Sequence, residues 1–313
     1  MNLLNLELIK NNQTILVALS GGPDSVCLLH QMHEIAPVYN LKLIAAHLNH
    51  EWRGKDSDQD EEFCKALCEK LQIPFFSKRL SQLSGLPAYN GSKENYARQA
   101  RKLFLHEIAQ QNSAYAIATA HHQDDHIETF FIRLIRGASL AGISGIKAQQ
   151  KLYSRPLLLC TKAEILQYLQ KHSLAFTHDA SNDSDDFLRN RIRNHLIPII
   201  NQIDIRAPKN IISFMNHAQQ TETYLEKITQ DHIDSLKTPT GYSIPQFLAH
   251  NIYMQQRMMI HLLIAHKIQA TLQESFILEC IRFLKNSKAQ RHTIAPSCAL
   301  KKSRNCLNFE EIL

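Results

Sequence analysis

Ser20-Gly21-Gly22-Pro23-Asp24-Ser25 sets two glycines between hydroxyl residues, directly after an apolar run and directly before a helical one. Glycine lets the backbone approach a bulky anion and aim N–H groups at it, and the start of a helix favours negative charge. Ser20 and Ser25 add hydroxyl donors, so the string reads as a phosphate cradle. Asp24 on its own would repel a phosphate; it makes sense as a ligand of Mg2+ that bridges to the phosphates. The plainer alternative is a glycine turn capped by Ser or Asp. No Gly-Lys-Ser/Thr follows, so the loop is not of the Walker A type. His121-His122-Gln123-Asp124-Asp125-His126-Ile127-Glu128-Thr129 is the second cluster, again where a strand signal gives way to a helical one. Asp124 and Glu128 fall one turn apart with Asp125 beside them, an acidic patch suited to a cation or an ammonium group. Capping with dipole compensation, at about 1 kcal/mol, accounts for one or two of these acids. A transition-metal site is the other reading of His and Asp at such close spacing.

Basic residues cluster twice. Arg189, Arg191 and Arg193 alternate, a spacing that lines them up on one side of an extended chain and spreads them in a helix. They read as a solvated face or as contacts to phosphate. Arg98, Arg101 and Lys102 sit on an amphipathic helix, with the same two readings. Trp52 and Arg53, after His50, could stack near a nucleotide.

The elements that must position these residues alternate. Short apolar runs at 14–19, 41–48, 75–76 and 115–120 read as buried strands. Helical patterns fall between them: 26–37, about 56–71, a stretch opening at Ser92, and about 123–136. In the stretch from Ser92, Tyr96, Ala100, Leu103, Phe104 and Ile108 form the apolar stripe; in the last, Ile127, Phe130, Phe131, Leu134 and Ile135 do. Strands separated by helices of this length imply an α/β fold. The expectation is a parallel twisted sheet with helices on both faces and right-handed crossovers, over residues 1–205. Both chemical clusters then sit at carboxyl ends of strands, where open α/β sheets bind ligands. Residues 201–285 read as helices without a convincing strand, and a short stretch from about Arg291 is compatible with β-structure. Residues 206–313 are therefore expected to form a smaller, mostly helical domain.

The 313 residues are 44% hydrophobic and 20% charged, which describes a globular chain. Basic residues exceed acidic ones by 35 to 29. The first 200 residues carry 22 and 20, the remainder 13 and 9, so most of the excess lies in the helical part. No run of 18 apolar residues exists, so no membrane span is expected. The opening residues lack the basic and apolar regions of a signal peptide. Asn-x-Ser/Thr triplets at Asn12, Asn90 and Asn182 then carry no meaning. Seven scattered cysteines without a C-x-x-C argue against a disulfide framework, structural zinc or an iron–sulfur cluster. A reducing cytoplasm is the expected compartment.

The loop at 20–25 resembles that of the N-type ATP pyrophosphatases, the PP-loop superfamily, which split ATP into AMP and pyrophosphate while adenylating a substrate. The cluster at 121–129 narrows this. Together with Arg133-Leu134-Ile135-Arg136-Gly137, Gly142-Ile143-Ser144-Gly145-Ile146, Ala46-His47-Leu48-Asn49-His50 and Asn95-Tyr96-Ala97-Arg98, it resembles the tRNA(Ile)-lysidine synthases. Arg155-Pro156-Leu157-Leu158, Lys162-Ala163-Glu164-Ile165, Asp179-Ala180-Ser181-Asn182 and Arg189-Asn190-Arg191-Ile192-Arg193-Asn194-His195-Leu196-Ile197-Pro198 follow in family order, so the likeness covers 14–200. The departure is His126-Ile127, where members often carry Gln and a small residue.

The resemblance implies ATP-dependent attachment of L-lysine to the wobble cytidine of a tRNA(Ile) with a CAU anticodon. It implies ATP binding by Ser20, Gly21, Gly22, Pro23, Asp24 and Ser25, with Mg2+ at Asp24. It makes Asp24, Asp124, Asp125 and Glu128 catalytic, the last three also candidates for binding lysine. Which of those three orients the lysine and which takes its proton stays open. Arg98, Arg189, Arg191 and Arg193 become contacts to phosphate or tRNA, and the helical part is expected to contact tRNA. A homodimer is compatible with the sequence. Because longer relatives append a further C-terminal domain, this length is expected to be a short form. The alternative is a sulfurtransferase of the same superfamily, disfavoured by the missing C-x-x-C and by an acid-rich helix that suits an amine nucleophile.

Overall fold

The computed structural model describes residues 2–86, 88–89, 91–177, 188–268 and 273–312. The Asp179-Ala180-Ser181-Asn182 motif and Asn90 lie outside them. Two compact units divide the chain, Met1–His217 and Ala218–Leu313.

In the first unit, β1 (Thr14–Ala18) is buried from Ile15 to Val17, as its unbroken apolar run requires. The chain continues through α1 (Pro23–Tyr39), β2 (Lys42–Asn49), α2 (Lys55–Lys70), β3 (Phe75–Arg79), α3 (Lys93–Gln111), β4 (Ala116–Ala118) and α4 (Gln123–Ile135). Next come α5 (Leu140–Ile143), β5 (Gln149–Gln150), β6 (Tyr153–Ser154), α6 (Lys162–Lys171), α7 (Leu188–Arg191), a π-turn at Ile192–Leu196, α8 (Ile197–Ile203) and α9 (Ala207–Leu236), whose residues from Ala218 onward belong to the second unit. The sheet runs β3-β2-β1-β4-β6-β5; only the β5–β6 pair is antiparallel.

Alternation along the strands divides the core. Ile15, Val17, Leu43, Ala45 and Ala118 pack with α1, α2 and α6, while Leu16, Ile44, Ala46 and Ile117 pack with Ala100, Phe104 and Ile108 of α3. Helices therefore cover both faces. From β1 the chain builds outward to β2 and β3, then α3 returns it so that β4 pairs with the other side of β1. That reversal is the switch point of the sheet, and it puts the loops after β1 and β4 side by side. One detail departs from expectation: α1 passes Pro37. The proline lies in the last turn, where the left-handed Asn40 (φ 48°) ends the helix and the Leu41 N–H closes on the Ala36 carbonyl at 2.9 Å.

The second unit buries Met254, Met258, Met259, Leu262, Leu263, Ile277, Cys280 and Ile281 from helices α11 (Ile252–Ala265) and α12 (Glu274–Lys285), the short α10 (Ile244–Ala249) preceding them. An antiparallel sheet accompanies them, ordered β7-β8-β11-β10-β9, from β7 (Lys237–Thr238), β8 (Gly241–Ser243), β9 (Arg291–Ala295), β10 (Cys298–Ser303) and β11 (Cys306–Glu311). The strands β7 and β8 were not expected. They are too short for alternation to register, and only the Pro239 and Gly241 of their turn signal them. Among the described residues no helix is long and apolar enough to cross a membrane.

Candidate active site

The loop after β1 is built around its own backbone. Gly21 adopts φ +87°, and a Cβ there would lie 2.9 Å from Thr177 Oγ1 and 3.3 Å from Cys64 Sγ. The Thr177 N–H donates to the Gly21 carbonyl at 2.9 Å, pinning the loop from below. Ser25 Oγ donates to the Gly22 carbonyl at 2.9 Å and accepts from the Ser20 N–H at 3.2 Å. Pro23 presets the first helical residue of α1, and Gly22 at the cap supplies no side-chain hydrogen bond. The helix start therefore keeps N–H donors for an outside acceptor. By contrast α3 and α6 are capped by Ser92 and Thr161.

The loop after β4 brings acids to the same place. His122 is 3% exposed and has three carboxylates around it: Asp124 Oδ2 lies 3.3 Å from Nδ1, and Asp125 Oδ2 and Asp24 Oδ2 lie 3.5 and 3.7 Å from Nε2. Burial works to lower the His122 pKa, but the contact with Asp124 and the charges of Asp125 and Asp24 outweigh it, and the ring is held above its ordinary value. Burial pushes Asp124 and Asp125 upward in turn; His122, with the Lys162 N–H on Asp124 and Arg189 on Asp125, brings both below the ordinary carboxylate value. These groups stabilise one another as charged species. Lys162, the first residue of α6, joins both loops: its ammonium lies 2.5 Å from Asp24 Oδ1 and its N–H donates to Asp124 Oδ2 at 2.8 Å.

The three acids of α4 differ in access. The side chain of Asp124 is 39% exposed, that of Asp125 15%, and that of Glu128 fully buried. Arg189 donates to Glu128 Oε2 at 2.6 Å and to Asp125 Oδ1 at 2.9 Å; Arg193 donates to Glu128 Oε1 at 2.5 Å. Glu128 is thus clamped by two guanidiniums. The alternating arginines lie on a helix rather than an extended strand, so Arg189 and Arg193 share one face one turn apart while Arg191 is exposed. The widened π-turn begins between them.

Residues 2–200 match the family described as a PP-loop domain. A tRNA(Ile)-lysidine synthase of Chlorobaculum tepidum is 35% identical over 235 residues, covering 75% of this chain and 70% of that protein. The chain belongs to this family. Proteins of the same name from Bacillus cereus and Clostridium acetobutylicum are 31% and 37% identical over 90% and 72% of this chain. The chain spans 62% and 49% of their respective lengths. A U34-tRNA thiolase from Methanococcus maripaludis superposes with a TM-score of 0.56 at 19% identity, over 68% of this chain and 74% of that one, and shares the fold.

The structure gathers Asp24, Asp124 and Asp125 around one histidine, with Glu128 behind them, and brings the loop at 20–25 alongside. Arg98 lies on α3 and is not among the ion pairs of this cluster. Sequence reasoning missed two participants. Lys162 was visible only as one member of a family motif, 138 residues from the carboxylate it meets. His122 was one of a pair, and nothing in the sequence distinguishes it from His121, whose half-buried ring is pushed down to about 4 by desolvation.

Proposed function

We propose that the chain is a tRNA(Ile)-lysidine synthetase, joining free L-lysine to C2 of the wobble cytidine in the tRNA(Ile) with a CAU anticodon and releasing AMP and pyrophosphate. One observation carries the reading: a helix start without a side-chain cap stands beside an acid cluster organised by a buried histidine, at the switch point of a PP-loop sheet. The N–H groups of the loop at 20–25 receive the triphosphate. The C2 oxygen of the cytidine attacks the α-phosphate, and the departing pyrophosphate is stabilised by those same donors with Lys162 nearby. The lysine ε-amine then forms the bond to C2 as AMP leaves with its oxygen, and a carboxylate takes the amine's proton. Asp124 is the most open of the three acids and meets that amine; Asp125 and Glu128 hold the arginines.

Mg2+ fits this site only in company with the phosphates. Among the described residues no group of three or more His, Cys, Asp or Glu could hold a metal ion by itself. Asp24, already engaged with the Lys162 ammonium, is a single carboxylate of the kind that Mg2+ uses when phosphates supply its other ligands. When bound there, Mg2+ supplies neutralising charge for the leaving pyrophosphate.

The test is to incubate the protein with ATP, labelled lysine and a transcript of that tRNA(Ile). Label in the RNA is expected; sulfur from cysteine appearing instead, or no label, overturns the reading. Six of the seven cysteines are buried, which favours amine over sulfur delivery. The proposal places the protein in the cytoplasm as a homodimer, and a solution mass of one 35.9 kDa chain would remove the dimer.

A further inference from the structure

Asp24 is the second residue of α1, at the helix start that no side chain caps, and both of its oxygens are engaged. Oδ1 lies 2.5 Å from the Lys162 ammonium, and Oδ2 lies 3.7 Å from His122 Nε2. The root of Lys162 is fixed while its tip is not. Its N–H donates to Asp124 Oδ2 at 2.8 Å, and the Cys160 carbonyl two residues earlier accepts from the Gln123 N–H at 2.7 Å. Cys160 is itself tied down, its Sγ donating to the Leu3 carbonyl at 2.8 Å. These bonds join the starts of α4 and α6. The ammonium, by contrast, ends a flexible four-carbon stem on a side chain 35% exposed. An ammonium at the start of a helix opposes the helix dipole, and at α1 the Asp24 carboxylate offsets it.

We infer that Lys162 and Mg2+ are alternatives at Asp24, and that the triphosphate of ATP exchanges one for the other. The inference rests on the ATP-using part of the lysidine reading and deepens it by coupling metal entry to nucleotide entry. Mg2+ holds its oxygen ligands at about 2.1 Å in a strict octahedron. An ammonium 2.5 Å from Oδ1 stands in the way of that octahedron, and two cations at such range repel. The loop at 20–25 lacks the lysine that a Walker A loop carries for phosphates. Lys162 brings one to the same helix start from 138 residues along the chain. A triphosphate carries more charge than one carboxylate and draws the ammonium onto itself. Asp24 is then released to share Mg2+ with the phosphate oxygens. Lys162 thereby makes metal and nucleotide each favour the other's binding.

The test titrates the full chain with Mn2+ alone, without nucleotide, and follows free Mn2+ by its electron paramagnetic resonance signal. Lys162→Met should bind Mn2+ at least about 10-fold more tightly than the wild type, because a repelling charge beside the carboxylate is gone. Adding Asp24→Asn to that variant should abolish the gain. Lys162→Arg keeps a cation on Asp24 and should bind Mn2+ as weakly as the wild type. In a second measurement, ATP with EDTA should raise the Tm of the wild type, and Lys162→Met should lose most of that rise. Lys162→Gln repeats both measurements should the methionine variant not fold. Equal Mn2+ affinity in wild type and Lys162→Met overturns the inference. So does a gain that survives Asp24→Asn, which puts the metal elsewhere, and so does an undiminished ATP-induced rise, which keeps the ammonium off the phosphates. Neither measurement uses lysine or tRNA. RNA left unlabelled therefore sinks the lysidine reading with the exchange standing, and labelled RNA beside equal Mn2+ affinities does the reverse.

Discussion

The loops after β1 and β4 stand in equivalent places, each between a buried strand and the first turn of a helix, on adjacent parallel strands. Their chemistry is opposite. The first is made by the main chain: a left-handed glycine, two hydroxyls and a helix start that no side chain caps. The second is made by side chains, where Asp125 accepts the His122 N–H at 3.0 Å and three carboxylates surround the ring. Parallel pairing sends both loops to one end of the sheet, and residue choice then sets the sign of what each attracts. A donor-lined loop and an acid-lined one thus come to lie side by side.

Each half should fail in its own way. Glu128→Ala leaves two guanidiniums facing a buried gap, and removing one partner of a buried pair costs about 3–5 kcal/mol. Thermal melting should register a fall in Tm of about 10 °C, and an unchanged melt would refute the clamp. Asp24→Ala should abolish pyrophosphate release, by at least about 100-fold, with Tm near that of the wild type. Normal release would remove Asp24 from the metal role. Gly21→Ala strikes the main-chain half, forcing a Cβ against Thr177 in a left-handed conformation. A loss of about 2 kcal/mol is expected, together with a weakened rise in Tm on adding ATP. A variant as stable as wild type would mean that Gly21 is not strained.

These contrasts explain what was legible in the sequence. β1 and β2 are read from continuous apolar runs because a central parallel strand is buried on both faces. The loop at 20–25 is legible because its chemistry lies in consecutive residues. The acid loop was legible as acids, but not in its division of labour. That division depends on Arg189 and Arg193 reaching Glu128 across more than 60 residues of chain, as it does on Lys162 reaching Asp24. Long-range pairing of charges leaves no local pattern. The arginine spacing 189, 191, 193 admitted two geometries, and tertiary burial against α4 selected the helix. The sheet of the second unit escaped because β7 and β8 are two and three residues long.

The smallest effect separates two adjacent residues of the acid loop. His122 is held above its ordinary pKa of 6.5 by carboxylates, so it stabilises the fold fully below 6.5 and loses that contribution as pH rises through its folded value. His121 is pushed down to about 4 by burial, so the unfolded chain binds the extra proton and stability drains away as pH falls from 6.5 towards 4. Urea unfolding of His122→Gln should therefore show its largest deficit against wild type near pH 6, narrowing towards pH 9. The His121→Gln variant should gain on wild type as the buffer is taken from pH 6.5 to 4.5. At 1.36 kcal/mol per unit, discounted for solvent around a half-buried ring, that gain is about 1 kcal/mol. Parallel responses in the two variants would mean that the carboxylates do not single out His122, and the acid loop would then be a capped helix start rather than a site organised around one charged ring.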